Sequence, residues 1–196
     1  MSYLDGSQTA VNLLRAFAGE CQARGRYSIY AVYANREGKK VARDLFLEIA
    51  DNEKEHAQRY YELLIHGLGD VAQNINIDAG YPVALGKTQD NLNYSYDAEW
   101  EEHTEIYPGF AQIAANEGFM DISEAFARIA EAENTHAQRF HAMWEEMSQG
   151  LDLSRPTPVQ WICTNCGYIH VGTQPPAVCP ACLHAKGYFK VRGTVG

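Results

Sequence analysis

The chain is poor in positive charge, in proline and in long apolar runs, and for most of its length in cysteine. Sixteen Lys and Arg stand against 25 Asp and Glu in 196 residues, a net charge of −9 with His neutral. A nucleic-acid binder needs a basic footprint, and a membrane-surface protein needs a polybasic patch, so neither class is expected. No uninterrupted apolar stretch approaches the roughly 20 residues of a spanning helix. The opening residues MSYLDGSQTA show no basic segment followed by an apolar one, so no secretory signal is expected and the cytoplasm is the expected compartment. Of the seven prolines, only Pro82 and Pro108 precede residue 148, which leaves the first three quarters of the chain free to be helical. Cysteine is confined to Cys21 until residue 163. At 46% hydrophobic and 21% charged residues, the chain has enough apolar surface for packed domains rather than disorder.

Against that background two regions separate. Residues 1–147 are rich in Ala, Glu, Leu, Tyr and Phe; residues 148–160, SQGLDLSRPTPVQ, read as a linker. Residues 161–196 are rich in turn formers and too few to bury an adequate core unaided. They carry Cys163-x-x-Cys166 and Cys179-x-x-Cys182. In a reducing compartment two such pairs bind metal more readily than they form disulfides, and the metal supplies the missing stability.

The first region repeats itself. Moving residues 27–60 on by 80 positions places Tyr27 on Tyr107, Glu37-Gly38 on Glu117-Gly118, Phe46 on Phe126, Glu53 on Glu133, His56 on His136 and Ala57-Gln58-Arg59 on Ala137-Gln138-Arg139. Two copies of a helical hairpin make a four-helix bundle. Apolar residues at helical spacing predict helices over 7–36, 40–66, 93–116 and 122–147, with 67–92 as the crossover. Gly38 and Gly118 fit helix ends, Asp121-x-x-Glu124 fits a capping box, and Pro108 is expected to kink the third helix.

Acids interrupt the apolar stripes. Glu20, Glu53, Glu99, Glu102 and Glu133, with His56 and His136, occupy positions where burial without neutralisation would cost many kcal/mol. A single Glu or His there would be an edge residue or a satisfied core side chain; seven in repeated positions point to a cation cluster. Glu53-x-x-His56 and Glu133-x-x-His136 each place two donors on one helix face. Two such pairs plus single Glu residues from the other helices are the donor pattern of ferritin-like di-iron and di-manganese bundles. Carboxylates with imidazoles suit iron or manganese better than thiolate-preferring metals. Glu102 lies one turn from Glu99 and is one carboxylate beyond that pattern. Glu102 and His56 therefore read as an exchanging pair, the carboxylate favouring ferric and the imidazole ferrous iron. Cys21 is rotated off the ligand face and reads as a packed small residue, or alternatively as a redox thiol. The four tail cysteines allow tetrahedral zinc or iron.

The motifs Ala18-Gly19-Glu20, Glu53-x-x-His56, Glu99-x-x-Glu102, Ile106-Tyr107-Pro108, Ala132-Glu133-x-x-His136, Trp161-x-Cys163-x-x-Cys166-Gly167-Tyr168 and Cys179-Pro180-x-Cys182 resemble those of the rubrerythrins over nearly the whole chain. The resemblance implies a ferritin-like di-iron four-helix bundle over 1–147, a linker over 148–160 and a rubredoxin-like iron domain over 161–196. It implies Glu53 and Glu133 as bridges between two irons, Glu20 terminal on one, Glu99 and His136 on the other, and Glu102 and His56 exchanging on the first. Tyr27 and Tyr107 match tyrosines that hydrogen-bond ligand carboxylates; the alternative is that they are plain core aromatics. Cys163, Cys166, Cys179 and Cys182 would hold the third iron, with zinc as a substitute in recombinant material.

The function implied is a peroxidase that reduces hydrogen peroxide to water in oxidative-stress defence. Electrons would come through the tail iron from rubredoxin or an NAD(P)H-dependent reductase, and the protein would be a homodimer. No strand-linked G-x-G-x-x-G occurs, so the nicotinamide is expected to bind elsewhere. Iron oxidation and storage is one alternative. A metal-responsive binding module with a structural zinc tail is the other.

Overall fold

In the computed structural model, residues 3–69 and 74–193 are described. The outer ends of the two expected domains (1–2 and 194–196) and residues 70–73 of the crossover lie outside them. Five α-helices come first: α1 (Gln8–Arg36), α2 (Lys40–Leu68), α3 (Thr88–Glu101), α4 (Tyr107–Asn116) and α5 (Met120–Ser148). Between α3 and α4 lies a π-helical segment, Glu102–Ile106. A small antiparallel sheet of β1 (Val159–Cys163), β2 (Ile169–Gly172) and β3 (Phe189–Val191) follows, in the order β2-β1-β3. The architecture is the expected one: an all-α four-helix bundle, its third rod broken into α3 and α4, and a small β/turn-rich tail carrying the four cysteines.

The two hairpins end alike because their sequences do. Gly38 (φ 75°) and Gly118 (φ 89°) take the left-handed conformation that ends a helix. The amides of Lys39 and Phe119 then reach back to the carbonyls of Ala34 and Ala114 at 2.9 and 2.8 Å. The residue before each glycine does a second task. Glu117 accepts from the backbone of Gln8 and Thr9 at 2.9 and 2.8 Å and from the Thr9 hydroxyl, at the start of α1. Glu37 accepts from the Thr88 amide and hydroxyl at 3.1 and 2.8 Å, at the start of α3. Each hairpin end thus caps the first helix of the other with an acid at a helix N-terminus.

Three expectations are corrected. Asp121 is not an N-cap: α5 starts at Met120, with Phe119 preceding it and no side-chain cap, so Asp121 lies inside the first turn. The third rod starts at Thr88 rather than 93, because Asp90 accepts from the Lys87 amide at 3.1 Å and the Thr88–Glu37 contact fixes the entry. Pro108 does not kink a continuous α-helix. It falls in the first turn of α4, where its missing N–H is tolerated, and the chain widens just before it, the Tyr107 amide bonding five residues back to Glu102.

The π segment also explains a change of frame. Thr9, Asn12, Leu13 and Glu20 correspond to Thr88, Asn91, Leu92 and Glu99 at a spacing of 79, whereas Tyr27 and everything after it correspond at 80. The extra residue is absorbed between Glu99 and Tyr107, where the helix makes its wide turn.

Two apolar clusters fill the bundle. One gathers Leu13, Tyr60, Leu63, Tyr107, Ile122 and Phe126; the other gathers Tyr27, Leu45, Phe46, Ile49, Leu92 and Phe140. Along every helix the buried acids fall between the two clusters, so the polar layer is mid-bundle with apolar packing on both sides. The tail rests on the turn after α1. Gly187 faces the Gly38 carbonyl with no room for a Cβ, Lys40 and Arg43 lie over the Tyr188 ring, and Lys39 pairs with Asp152 at 2.5 Å.

Replacing Glu37 or Glu117 by Ala is expected to lower stability by about 1–2 kcal/mol each, the worth of a lost cap and two stranded donors. Urea unfolding monitored by far-UV circular dichroism measures this, and an unchanged midpoint would mean the two acids are surface decoration.

Candidate metal centres

The mid-bundle layer brings Glu20, Glu53, Glu99, Glu133 and His136 together with at most 4% exposure. Their donor atoms fall into two groups, each within 4.8 Å: Glu20, Glu53, His56 and Glu133, and Glu53, Glu99, Glu133 and His136. Glu53 and Glu133, equivalent positions of the repeat on α2 and α5, belong to both. His56 Nδ1 lies 2.9 Å from Glu133 and 3.2 Å from Glu53; His136 Nδ1 lies 2.7 Å from Glu133 and 3.1 Å from Glu53. The i, i+3 spacing on straight α-helices aims each imidazole and its own glutamate at the same point. Glu102 is buried too, but falls outside both groups and lines a cleft with Arg15, Tyr81 and Tyr107.

The layer is unfavourable as it stands. Burial, reinforced by Glu133, Glu53 and Glu102, pushes the Glu20 carboxyl well above the ordinary range. Burial and the neighbouring Glu99, Glu133 and Glu53 do the same to Glu102. Burial works against a charged His56, but the Glu133 and Glu53 carboxylates push it up to about 10. His136 is likewise raised against burial by Glu133, Glu53 and Glu99. Protons therefore stand in for cations. Glu20 Oε2 is buried without a hydrogen-bond partner, the condition that a metal ion relieves. Hard oxygen donors with two imidazoles, in two overlapping sets, fit a pair of iron or manganese ions.

Tyr27 and Tyr107 are both: core aromatics and hydrogen-bond donors. The Tyr27 hydroxyl donates to Glu99, and that of Tyr107 donates to Glu20 at 2.5 Å. Cys21 is exposed rather than packed: one residue past Glu20, the helix turns it outwards. Three neighbours escaped sequence reasoning. Asn52 Nδ2 meets His136 Nε2 at 3.3 Å, the position that orients a metal-binding imidazole. Arg26 and Tyr60 are buried behind Tyr27 and Tyr107. None of the three belongs to a spaced motif; only the ring of helices brings them in.

In the tail, two matching turns present the cysteines. The Gly167 amide donates to the Cys163 carbonyl at 2.8 Å and the Leu183 amide to the Cys179 carbonyl at 2.9 Å, with Gly167 and Leu183 both at positive φ. Cys163 Sγ is 3.8 Å from Cys182 Sγ, and Cys166 Sγ is 3.7 Å from Cys179 Sγ. A disulfide needs about 2.05 Å. The edge of a tetrahedron with metal–sulfur bonds of about 2.3 Å is about 3.8 Å. Backbone amides point at the sulfurs: that of His184 helps hold Cys182 down at about 6, whereas the other thiols push Cys166 up to about 12 despite the Tyr168 amide. Trp161, Cys163, Cys179 and Phe189 make a small core behind the site.

Bundle and tail together define a class: a ferritin-like dinuclear carboxylate–histidine protein joined to a four-thiolate metal module. Comparison with known proteins narrows it. The family description "Rubrerythrin" matches residues 12–144 and "Rubrerythrin, rubredoxin-like domain" matches residues 161–190. Rubrerythrin-1 of Clostridium acetobutylicum is 43% identical over 191 residues, covering 97% of each chain. A rubrerythrin of Nitratidesulfovibrio vulgaris is 41% identical, covering 98% of each. A solved structure of nigerythrin in a partially reduced state superposes with a TM-score of 0.64 at 25% identity, covering 97% of this chain and 93% of that one. The chain belongs to the rubrerythrin family, oxidoreductases of oxidative stress that bind a di-iron centre and a rubredoxin-like iron. Among the described residues no helix is long and apolar enough to cross a membrane.

Metal uptake by the bundle is expected to release protons, because His56 and His136 must lose theirs to become ligands. Both are raised above neutrality, so at pH 7 roughly two or more protons leave as the pair of ions enters. Affinity falls as pH falls, and the release from His56 fades as pH rises through about 10. Calorimetry in buffers of different ionisation enthalpy counts the protons; none released would show that the imidazoles are not ligands.

Proposed function

We propose that this protein is a non-haem iron peroxidase that reduces hydrogen peroxide to two waters, fed by electrons through its four-cysteine tail. The observation that carries this reading is the pairing in one chain of two overlapping four-donor groups with a separate four-thiolate cluster. When bound, two ferrous ions supply the two electrons that H₂O₂, with two protons, needs to become two waters. Iron held by Cys163, Cys166, Cys179 and Cys182 would supply electrons one at a time. An iron store has no use for such continual re-reduction, and a structural zinc could not provide it.

The residues take these roles. Glu53 and Glu133, shared by both groups, would be ligands common to both ions. Glu20 would hold one ion, and Glu99 and His136 the other. His56 would serve the Glu20 ion when reduced, and Glu102 would replace it when oxidised, its carboxylate matching the added positive charge. The arrangement in hand favours this: His56 stands within its group, and Glu102 waits at its edge. Tyr27 and Tyr107 orient the terminal carboxylates by their hydrogen bonds. The cleft of about 560 Å³ that ends on Glu102 and Tyr107, with Arg15, Tyr81 and Glu105 towards solvent, is the path by which peroxide arrives. Residues 1–147 act as the catalytic bundle and 161–196 as the relay, linked by 148–160. The donor is rubredoxin or an NAD(P)H-dependent reductase, the protein works in the cytoplasm, and it works as a homodimer.

Anaerobic reduction followed by one equivalent of H₂O₂, watching both iron chromophores, tests the reading. The pre-reduced bundle should consume about one H₂O₂ per pair of irons. Cys163→Ser should abolish turnover with an external donor and keep that single turnover; losing it with bundle iron intact would place the tail in the chemistry itself. Structures of the two oxidation states should show Glu102 bound in the oxidised form and His56 in the reduced one, and identical ligands at full occupancy would remove the exchange.

A further inference from the structure

The repeat makes each half of the polar layer a control for the other. Tyr27 packs on Tyr30, Phe46 and Phe140, with ring centres 6.3, 6.3 and 5.2 Å away. Tyr107 packs on the equivalent residues, Phe110, Phe126 and Tyr60, at 6.3, 6.2 and 5.5 Å. Tyr30 differs from Phe110, but its hydroxyl donates to the Ala84 carbonyl at 2.7 Å, away from the layer; two further substitutions break the equivalence. Tyr60 stands where the other half has Phe140, and Arg26 stands where the other half has Ile106.

Neither difference is needed for packing. Phe140 shows that a bare phenyl ring fills the place of Tyr60, and Ile106 shows that an apolar side chain fills the place of Arg26. Both extra groups are nevertheless buried and poorly satisfied. Tyr60 Oη is enclosed with no hydrogen bond of good geometry, and the hydroxyl within its reach is that of Tyr107. Arg26 is 9% exposed and forms no ion pair within 4 Å among the described residues; the carboxylate that acts on it through charge at longer range is Glu102. Its Nη1 donates to Gln22, its Nη2 lies 3.4 Å from the Tyr27 hydroxyl, and its Nε has no partner. Such groups destabilise a fold unless something else requires them.

We propose that Arg26 and Tyr60 are positioning residues that make the two metal positions unequal, a cation backing the Tyr27–Glu99 hydrogen bond and a neutral phenol backing the Tyr107–Glu20 hydrogen bond. A hydrogen bond donated to a carboxylate draws electron density from it and leaves less for a metal ion. A second donor behind the first strengthens the chain, and a charged one does so most. Glu99 is therefore the weaker ligand of the two terminal acids, and its position the weaker site for a divalent ion. Charge agrees: five buried carboxylates leave one negative charge against two divalent ions, and Arg26 supplies its match. This inference rests on the two-metal reading above and adds the origin of the difference between its halves.

Stepwise binding of Co(II) to the full chain tests it, with the four cysteines first filled by one equivalent of zinc, which prefers thiolates and has no visible bands. The ligand-field absorption of Co(II) reports the two bundle sites. Tyr60→Phe relieves Glu20, tightens the stronger site and should widen the ratio of the two dissociation constants about threefold. Arg26→Met relieves Glu99, tightens the weaker site and should narrow that ratio about tenfold. Arg26→Lys keeps the charge and should hold the ratio near wild type. If Arg26→Met fails to reach the wild-type helical signal, Arg26→Gln takes its place, with the same direction expected. A loss of packing would weaken both sites and move both variants the same way. Ratios that stay unchanged, or shift in the same direction in both variants, overturn the inference and leave the metal pair standing. A wild type that takes up fewer than two Co(II) ions overturns the pair and the inference with it.

Discussion

A bundle core that buries five carboxylates is unstable until positive charge enters it, and most of the molecule is arranged around that constraint. The acids occur at mid-helix, where the apolar clusters on either side exclude water and hold the helices at fixed spacing. Two imidazoles among them carry protons when no metal is there, so the layer is never a bare anion cluster. The same exclusion of water that makes the charge expensive makes each hydrogen bond to a carboxylate count for more than it would at a surface. Tyr27, Tyr107 and Asn52 act in that setting. The tail solves the opposite problem: too little core, offset by metal–thiolate bonds over a small aromatic base.

Duplication of one hairpin gives the layer its economy. Glu53 and Glu133 come from equivalent places of the repeat, and both lie in both donor groups because α2 and α5 direct them into the same mid-bundle layer. Glu20 and Glu99, the phenols that donate to them and the mutual capping by Glu37 and Glu117 follow the symmetry of the repeat. The symmetry is not complete, and side chains at the layer depart from it. Glu102 falls opposite Ala23 in the first frame, Tyr60 opposite Phe140 and Arg26 opposite Ile106.

Much of this was legible in the sequence. The spacing of Glu53-x-x-His56 and its copy, the acids on apolar stripes and the paired cysteines each encode local geometry, and helices of fixed pitch carry that geometry faithfully into space. What was not legible depends on more than one helix. The start of the third rod is set by Glu37, some fifty residues earlier, and Asp121 looked like a cap because its spacing to Glu124 is right although Phe119 precedes the helix. The π segment leaves only a change of frame from 79 to 80, hidden when a single offset is sought. Asn52, Arg26 and Tyr60 belong to no motif; their relevance comes from what the neighbouring helices place beside them. The outward turn of Cys21 follows from helical rotation, but how far it is exposed depends on what the other elements place around it.

The one-residue surplus in the third rod acts as a vernier between two scales. Both ends of the rod stay in register with the first helix, since Thr88 still meets Glu37 as Thr9 meets Glu117, and the mismatch is confined to a single wide turn. A lone residue added to an ordinary helix would rotate everything beyond it by about 100° and turn Tyr107 away from Glu20. Taken up as a π turn, the same residue leaves the distant frame intact and alters only what the rod presents at mid-height. A duplicated ancestor could thus gain a fifth position for an acid in its core without redesign of either end, by an insertion whose structural consequences stop within two turns.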